Sequence, residues 1–384
     1  MPHVRLSTFY FLFFASVGAF MPYWSLYLEA LGFSAGDIGL TLGLMMATRI
    51  VTPNLWAWLG DRGVPRIILI RGGSICALLV FVFIPDLASL QSIILACMLY
   101  TLFWSAVLPQ FEVITLNYLQ ANSARYSRIR LWGSVGFVVA SAAIGVLLER
   151  HGAQLLPWLM MILIGLVIFA TGFIREAGEV RPESEQSFGI LQVLRKPQVL
   201  ALLMACFLMQ ASHGPYYVFF SIQLQHLGYG RDEIGALWAL AVIAEVALLA
   251  AMPHFIRGYA LRGLFVGCFV LTAARWGLMA VGVTSLWVLV VAQCLHAVSF
   301  GAYHAIAIQL IHQQFTGSSQ GRGQALYGSI SFGAGGALGS FVSGWLWDPN
   351  QAWVTWTAAA LTCGVGAWVA WRGLATVNSN SSAG

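Results

Sequence analysis

Ionisable side chains lie inside several strongly apolar segments of this sequence. Glu112 and Arg130 flank a short polar hairpin, each six residues inside its apolar segment as predicted below (118 − 112 and 130 − 124), so the two side chains should lie at one depth. A charge at the centre of a membrane helix costs about 2.5 to 3.5 kcal/mol, so such residues usually have a partner or a role. The pair predicts either a structural ion pair or a clamp that exchanges its internal bond for a ligand hydroxyl or carboxylate.

A second group of ionisable residues lies in the C-terminal half of the chain. Glu245, Arg275 and His296 each fall about ten to twelve residues into an apolar segment, near the middle of a membrane. Burial favours a neutral carboxylic acid and a neighbouring guanidinium favours the carboxylate, so Glu245 could bind a proton in one conformation and release it in another. The alternative is a permanent Glu245 and Arg275 ion pair with His296 as a packing residue.

Two further polar features predict the wall of an internal cavity. Arg49 lies within an apolar segment, and Gln210, His213 and Tyr216 occupy one face of a helix that Gly214 and Pro215 interrupt. Polar side chains within a membrane segment generally face protein or water. Counted together, three buried arginines (Arg49, Arg130, Arg275) oppose two glutamates (Glu112, Glu245), which leaves one excess positive charge for a monoanion to balance.

The composition requires a membrane protein. Hydrophobic residues make up 59% of the 384 residues, charged residues only 9%, and the mean hydropathy is +0.80, whereas soluble domains carry about 25% charged residues. Apolar runs of about 20 residues indicate helices rather than barrel strands. We predict twelve spans: 6 to 29, 37 to 58, 67 to 85, 91 to 118, 124 to 148, 155 to 174, 198 to 226, 233 to 254, 263 to 282, 286 to 313, 322 to 346 and 352 to 373.

The distribution of basic residues predicts the orientation. Most arginines and lysines fall in alternate loops and the termini, against only Arg150 and Arg231 on the other side, so the positive-inside rule places both termini in the cytoplasm. The basic residues form no continuous stripe of the kind that would indicate binding to nucleic acid. The six cysteines are spaced singly, without a metal or disulfide pattern, and we expect no metal, no cofactor and no cleaved signal peptide.

Internal repeats divide the chain into two halves. The segment LGFSAGDIG at 31–39 recurs as LGYGRDEIG at 227–235, and LWGS at 131–134 recurs as LYGS at 326–329. We therefore predict an all-α membrane protein of two parallel six-helix bundles, 1–174 and 198–373, the arrangement of secondary transporters that rock about a central site. The charged stretch 175–197 is predicted to be a cytoplasmic linker, either a simple solvated tether, which we favour, or one with a short surface helix, and 374–384 a disordered tail.

Several motifs resemble one transporter family in order along the chain. They are GAFMPYWSLYL, RIRLWGS, SHGPYYVFF, VIAEVA, ARWG and CLHAVSF. These segments resemble the major facilitator superfamily, and within it the phenylpropionate permease group and the related lactose permease type of proton symporter. The resemblance implies the twelve-helix major facilitator fold, a monomer, a site in the bacterial inner membrane, and a proton gradient rather than a cofactor as the source of energy.

The resemblance also implies roles for individual residues. A helix 4 Glu and a helix 5 Arg with the separation of Glu112 and Arg130 contact substrate in the lactose permease, and its proton-coupling residues resemble Glu245, Arg275 and His296. Its helix 10 carboxylate is replaced here by Ser299, so proton coupling either uses another group, for which we expect Glu245, or is absent. The superfamily's loop between helices 2 and 3 survives in part, with Asp61 and Arg62 expected to brace the cytoplasmic gate.

We therefore predict a proton-coupled symporter that imports a small organic substrate, best matched by an aromatic monocarboxylate such as phenylpropionate. The predicted substrate-binding residues are Arg49, Glu112, Arg130, Trp132, Tyr23, Trp24, His213, Tyr216 and Tyr217, with Trp238 and Trp276 also available for ring contacts. A sugar or nucleoside symporter is the alternative, because Glu112 and Arg130 could bind hydroxyls. An efflux antiporter, an intramembrane enzyme and a receptor are less favoured, since no nucleophile motif or metal set is present.

Overall fold

The structure is a computed structural model that describes residues 2–119, 123–174, 176 and 190–374. Every regular element of these residues is helical. The α-helices are α1 Pro2–Ala30, α2 Ala35–Thr48, α3 Thr52–Asp61, α4 Arg66–Phe83, α5 Leu90–Trp104, α6 Val107–Leu119, α7 Ser123–His151, α8 Leu156–Thr171, α9 Ile190–Leu194, α10 Pro197–Ser212, α11 Gly214–His226, α12 Arg231–Gly258, α13 Leu261–Gly282, α14 Leu286–Cys294, α15 Tyr303–Gln314, α16 Gln320–Gly328, α17 Gly336–Leu346 and α18 Ala352–Gly373.

Eleven helical segments of the described residues are long and apolar enough to cross a membrane. The predicted span 37 to 58 is not one of them, because it divides into α2, of 14 residues, and α3, of 10 residues. Successive backbone bonds from Arg49, Ile50 and Val51 to the carbonyls three residues earlier tighten the chain between the two helices. Pro53 follows in the first turn of α3, where its missing N–H is tolerated.

Two other predicted spans also contain a break. The span 91 to 118 divides into α5 and α6 at Ser105 and Ala106, and the span 198 to 226 divides into α10 and α11 at His213. Pro109 and Pro215 lie just after these breaks. The spans 286 to 313 and 322 to 346 instead contain π-helical turns, at Ala297–Ala302 and Ser329–Gly335, a feature that is frequent at functional sites.

The repeated sequence segments have the same local geometry in both halves. Gly32 and Gly228 adopt φ values of 85° and 90°, which glycine tolerates and which end the preceding helices. The Asp37 carboxylate accepts the Ser34 N–H at 3.1 Å, and the Glu233 carboxylate accepts the Gly230 N–H at 2.8 Å. Each acid thereby caps the start of α2 or α12. The repeat therefore encodes a loop and a helix start.

The two halves of the chain pack closely at one end of the bundle, which we call the seam end. Here the Tyr23 hydroxyl donates to the Ser141 carbonyl at 2.5 Å and to the Arg231 carbonyl at 3.2 Å. A Cβ added at Gly39 would lie 2.6 Å from the Gly344 Cα, so α2 and α17 meet backbone to backbone. Gly39 and Gly344 therefore form a packing surface between α2 and α17.

Ion pairs close the same seam. His226 Nε2 of α11 lies 2.9 Å from Glu29 Oε1 of α1, which joins the C-terminal half to the N-terminal half. Arg231 of α12 donates its backbone N–H to the Glu149 carboxylate at 2.8 Å and places its guanidinium 3.8 Å from the same oxygen. These contacts lie at the ends of α1, α7 and α11 and at the start of α12.

The predicted linker is described only at 176 and 190–197. Helix α9, of five residues, lies near the C-terminal end of the linker, where the alternative interpretation placed a short helix, while 175 and 177–189 lie outside the described residues. Glu176 accepts the backbone N–H groups of Arg66 and Ile67 at 3.0 and 3.3 Å, and so caps the start of α4. Of the predicted tail, only Leu374 is described.

Candidate functional site

Glu112 and Arg130 meet inside the N-terminal half, as their matched depths predict. Arg130 Nε lies 3.9 Å from Glu112 Oε1, and the two side chains remain 32% and 35% exposed. The Tyr126 hydroxyl donates to the same Glu112 oxygen at 3.2 Å. The Arg130 guanidinium lies 3.9 Å above the Phe14 ring and 5.7 Å from the Tyr10 ring of α1. The guanidinium is therefore oriented by aromatic rings rather than by a tight ion pair.

Arg130 faces the interior between the two halves. Its charge lies within electrostatic range of Glu245 and His304, both in the C-terminal half. Arg49 reaches the same interior, since it lies within electrostatic range of Tyr100 on α5 and Tyr217 on α11 while its side chain stays exposed. These partly or fully exposed side chains border the interior between the two halves, which we call the cavity, and the contacts of the seam end close one side of it.

The predicted C-terminal group of Glu245, Arg275 and His296 also assembles, without the direct Glu245 and Arg275 pair of the alternative interpretation. His296 lies between them, with Nε2 3.9 Å from Glu245 Oε2 and Nδ1 3.2 Å from Arg275 Nη1. A guanidinium can only donate, so His296 Nδ1 must be the acceptor and a neutral ring carries its proton on Nε2, toward Glu245. The alternative of a direct, permanent Glu245 and Arg275 pair is therefore wrong in this conformation.

Arg275 is a buried cation held by neutral groups. It is 1% exposed, donates to Ser299 Oγ at 2.8 Å, and forms no ion pair with a carboxylate of the described residues. Its guanidinium lies 4.4 Å from the rings of both Tyr216 and Trp276. Ser299, at the position where the lactose permease resemblance implies a carboxylate, is thus a hydrogen-bond partner of the cation.

The broken helix α10 to α11 supplies the remaining polar wall. The Tyr216 hydroxyl donates to Gln293 Oε1 at 2.9 Å, and His213 Nδ1 donates to the Met209 carbonyl at 2.8 Å. His213 Nε2 is buried and has no hydrogen-bond partner among the described residues, and the His213 ring stacks on Tyr217 at 5.8 Å between centroids. The predicted residues His213, Tyr216 and Tyr217 therefore lie beside Arg275.

Three predicted substrate residues lie elsewhere. Tyr23 is fully buried in the seam. Trp24 is buried within the N-terminal half, where it stacks on Phe20 at 4.8 Å. Trp132 is 50% exposed on the face of α7 that also carries exposed Val135 and Val139, away from Arg130, as expected of a side chain in lipid. The expectation that these three rings line the cavity is not supported by their positions.

The predicted gate residues make contacts within their own half. Asp61 Oδ1 lies 3.7 Å from Arg66 Nη2, and Arg62 lies 4.0 Å over the Trp58 ring. Arg66 also donates to Gln110 Oε1 at 2.7 Å. In this conformation Asp61 and Arg62 therefore stabilise the loop between α3 and α4, and neither forms a described contact with the C-terminal half.

The sequence did not single out Tyr126 or Phe14 as site residues. Tyr126 lies four residues before Arg130 and so on the same face of α7, which was a usable signal. His304 continues a stack from His296 through Phe300, with centroids 5.4 and 6.3 Å apart, and its Nδ1 lies 2.9 Å from the Tyr327 hydroxyl. Phe14 carries no sequence signal that separates it from packing phenylalanines.

Residues 3–358 match the model of the MFS_1-like family. The chain belongs to this family. Among MFS_1-like relatives, a probable 3-phenylpropionic acid transporter of Escherichia coli K12 is 29% identical over 362 residues, covering 91% of this chain and 92% of the relative. A maltose permease of Geobacillus stearothermophilus is 25% identical, and the match covers 89% of this chain and 87% of the permease. The solved nucleoside transporter NupG has a TM-score of 0.82 at 15% identity, covering 96% of this chain and 98% of NupG.

These comparisons confirm the family expected from the sequence motifs. This MFS_1-like protein is a multi-pass membrane transporter rather than an enzyme, and it has the fold of solved transporters of this superfamily. The named relatives transport different classes of small molecule, so family membership alone does not select the substrate.

Proposed function

We propose that this transporter imports an aromatic monocarboxylate, of the phenylpropionate kind, together with a proton. The observation that carries the proposal is the loose Arg130 and Glu112 contact, with Nε 3.9 Å from Oε1 and neither terminal nitrogen of Arg130 bonded to a described acceptor. A guanidinium with both terminal nitrogens free can bind a carboxylate bidentately. Arg49 adds a second cation to the same cavity, and the partly exposed rings of Phe14 and Tyr217 provide aromatic contacts.

The proposed transport cycle is alternating access by two six-helix halves. In this proposal α2 and α3 together make a twelfth crossing, both termini are cytoplasmic, and the protein acts as a monomer in the bacterial inner membrane. The seam end then faces outward, and the present conformation is open to the cytoplasm. Rocking the halves would open the contacts at Tyr23, Glu29 and Gly39 and close the opposite end.

Glu245 is the proposed proton carrier. It lies in the cavity wall, near Arg130 on one side and the His296 Nε2 proton on the other. Binding of a substrate carboxylate to Arg130 would remove the positive field that favours ionised Glu245, and so would favour its protonation. Anion and proton would then cross together, and release of the anion would restore the field and release the proton.

Substitution of Glu245 tests the proton step. We expect Glu245→Gln to abolish uphill uptake while leaving substrate exchange between two loaded compartments, because glutamine resembles the protonated acid. Reconstituted vesicles with and without a pH gradient provide the measurement. Glu233→Gln, at the seam-end start of the same helix, is the matched control and should retain both activities. Uphill uptake by Glu245→Gln would refute the assignment.

A sugar or nucleoside symporter is the second candidate. The second oxygen of Glu112 has no described donor and could accept a hydroxyl, and one relative is named as a maltose permease. We expect labelled phenylpropionate uptake to be inhibited by other aromatic acids and to be unaffected by maltose or nucleosides. The same ligands tested for thermal stabilisation of the purified protein provide a second measurement. Stabilisation by maltose or a nucleoside alone would favour the second candidate.

A further inference from the structure

One carboxylate oxygen of Glu112, Oε1, faces donor groups of two residues, Tyr126 and Arg130. The Tyr126 hydroxyl, on α7, donates to Oε1 at 3.2 Å, within hydrogen-bonding distance. Arg130 Nε approaches the same oxygen only to 3.9 Å, which is an ion pair without a hydrogen bond. Glu112 is therefore fixed principally by Tyr126.

This geometry prevents the closest pairing that the two charged groups could form. A carboxylate and a guanidinium in contact usually form two parallel hydrogen bonds, which would occupy two donor nitrogens of Arg130. Here the Phe14 ring, 3.9 Å from the guanidinium, supports one face of Arg130, and the Tyr126 bond restrains Glu112 at the Nε side. The terminal nitrogens consequently remain available to a ligand.

We infer that Tyr126 is a positioning residue that makes the site selective for anions by holding Glu112 out of a bidentate pair with Arg130. The inference rests on the proposed function, because it assigns the free nitrogens of Arg130 to the substrate carboxylate. Without the Tyr126 hydroxyl, Glu112 approaches Arg130 and competes with the substrate for the same donors. Tyr126 itself does not contact the substrate carboxylate in this arrangement.

The position of Tyr126 on α7 explains why it can act on the Glu112 and Arg130 pair. Tyr126 and Arg130 are four residues apart on α7, so both side chains lie on one helix face and reach the same carboxylate of α6. Tyr126 is half-buried, and its hydroxyl is its only polar side-chain group. Tyr126→Phe therefore removes one hydrogen bond and leaves the ring in place.

The test compares wild type, Tyr126→Phe and the double variant Tyr126→Phe with Glu112→Gln. We expect Tyr126→Phe to weaken 3-phenylpropionate binding by calorimetry about tenfold, equivalent to about 1.4 kcal/mol, with little change in the maximal transport rate. The double variant should regain most of the affinity, because glutamine cannot form the competing ion pair. Tyr229→Phe, near the seam end, is the matched control. Unchanged affinity in Tyr126→Phe, or no recovery in the double variant, would overturn the inference.

A second measurement needs no substrate. Phenylglyoxal modifies accessible arginines, and its reaction with Arg130 can be quantified on the corresponding peptide by mass spectrometry. We expect slower modification of Arg130 in Tyr126→Phe than in wild type, and restored modification in the double variant. Failure of wild type to bind any aromatic monocarboxylate would refute the proposed substrate, whereas an unchanged modification rate would refute the role of Tyr126, so the two failures are separable.

Discussion

Arg49 is a cation at the break between α2 and α3. It lies at the end of α2, exposed to the cavity and near the hydroxyl groups of Tyr100 and Tyr217, without an ion pair to a carboxylate of the described residues. A cation kept without a partner in a membrane segment is costly unless a ligand uses it. In our proposal it strengthens the attraction of the cavity for an anion.

Replacing this cation should weaken anion binding. We expect Arg49→Ala to reduce the affinity for an aromatic monocarboxylate about 10- to 100-fold, because a hydrogen bond to a charged group contributes about 1.5 to 3 kcal/mol, while Arg49→Lys retains the charge and loses less. Thermal-shift titration of the purified variants provides the measurement. Arg62→Ala, whose guanidinium stacks on Trp58, is the control. An affinity of Arg49→Ala equal to that of wild type would remove Arg49 from the site.

Residue types predicted the polar members of the site better than its aromatic members. The cost of an intramembrane charge is large and specific, and the charged residues Glu112, Arg130, Glu245 and Arg275, chosen for that reason, meet in two groups. Aromatic rings pack, face lipid or line cavities with comparable ease. The residue type therefore could not show where the rings of Tyr23, Trp24 and Trp132 would lie. The structure places them in the seam, within the N-terminal half and on an exposed face of α7.

At the scale of elements, hydrophobic run length predicted most spans within a few residues. It could not predict that 37 to 58 would divide into α2 and α3, because the run is apolar on both sides of Arg49 and its proline lies near the end. The π-helical turns at Ala297–Ala302 and Ser329–Gly335 were equally unexpected. Such turns depend on tertiary contacts, and the first of them contains Ser299, which binds Arg275.

Many side chains of the candidate site lie at helix breaks and π-helical turns rather than in regular helix. His213 lies at the break between α10 and α11, and Tyr216 follows one turn later. Arg49 lies at the break between α2 and α3. At each break backbone N–H groups bond the carbonyl three residues earlier, which tightens the chain locally beside the interior. The sequence indicated the break near Pro215 but not the direction in which the side chains beside it point.

At the scale of the whole molecule, the seam end determines which side of the cavity is open. Contacts there join the halves through the His226 and Glu29 side chains of α11 and α1, a hydrogen bond between α1 and α12, and glycine packing between α2 and α17. Alternating access requires that these contacts be separable, so their combined strength must be modest. Short polar contacts and glycine surfaces, rather than interlocked large side chains, meet that requirement.

A bulky residue at the seam should therefore shift the balance between conformations. A side chain at position 39 would collide with the Gly344 backbone, so we expect Gly39→Val to favour conformations open at the seam end. Labelling of Ser141→Cys, buried in the seam, by a membrane-impermeant maleimide should become several-fold faster in the Gly39→Val background. Gly165→Val is the matched control, because a Cβ at Gly165 meets no atom within 4 Å. Equal labelling rates in the two backgrounds would show that the α2 and α17 contact does not hold the seam closed, and that the ion pairs there carry the closure.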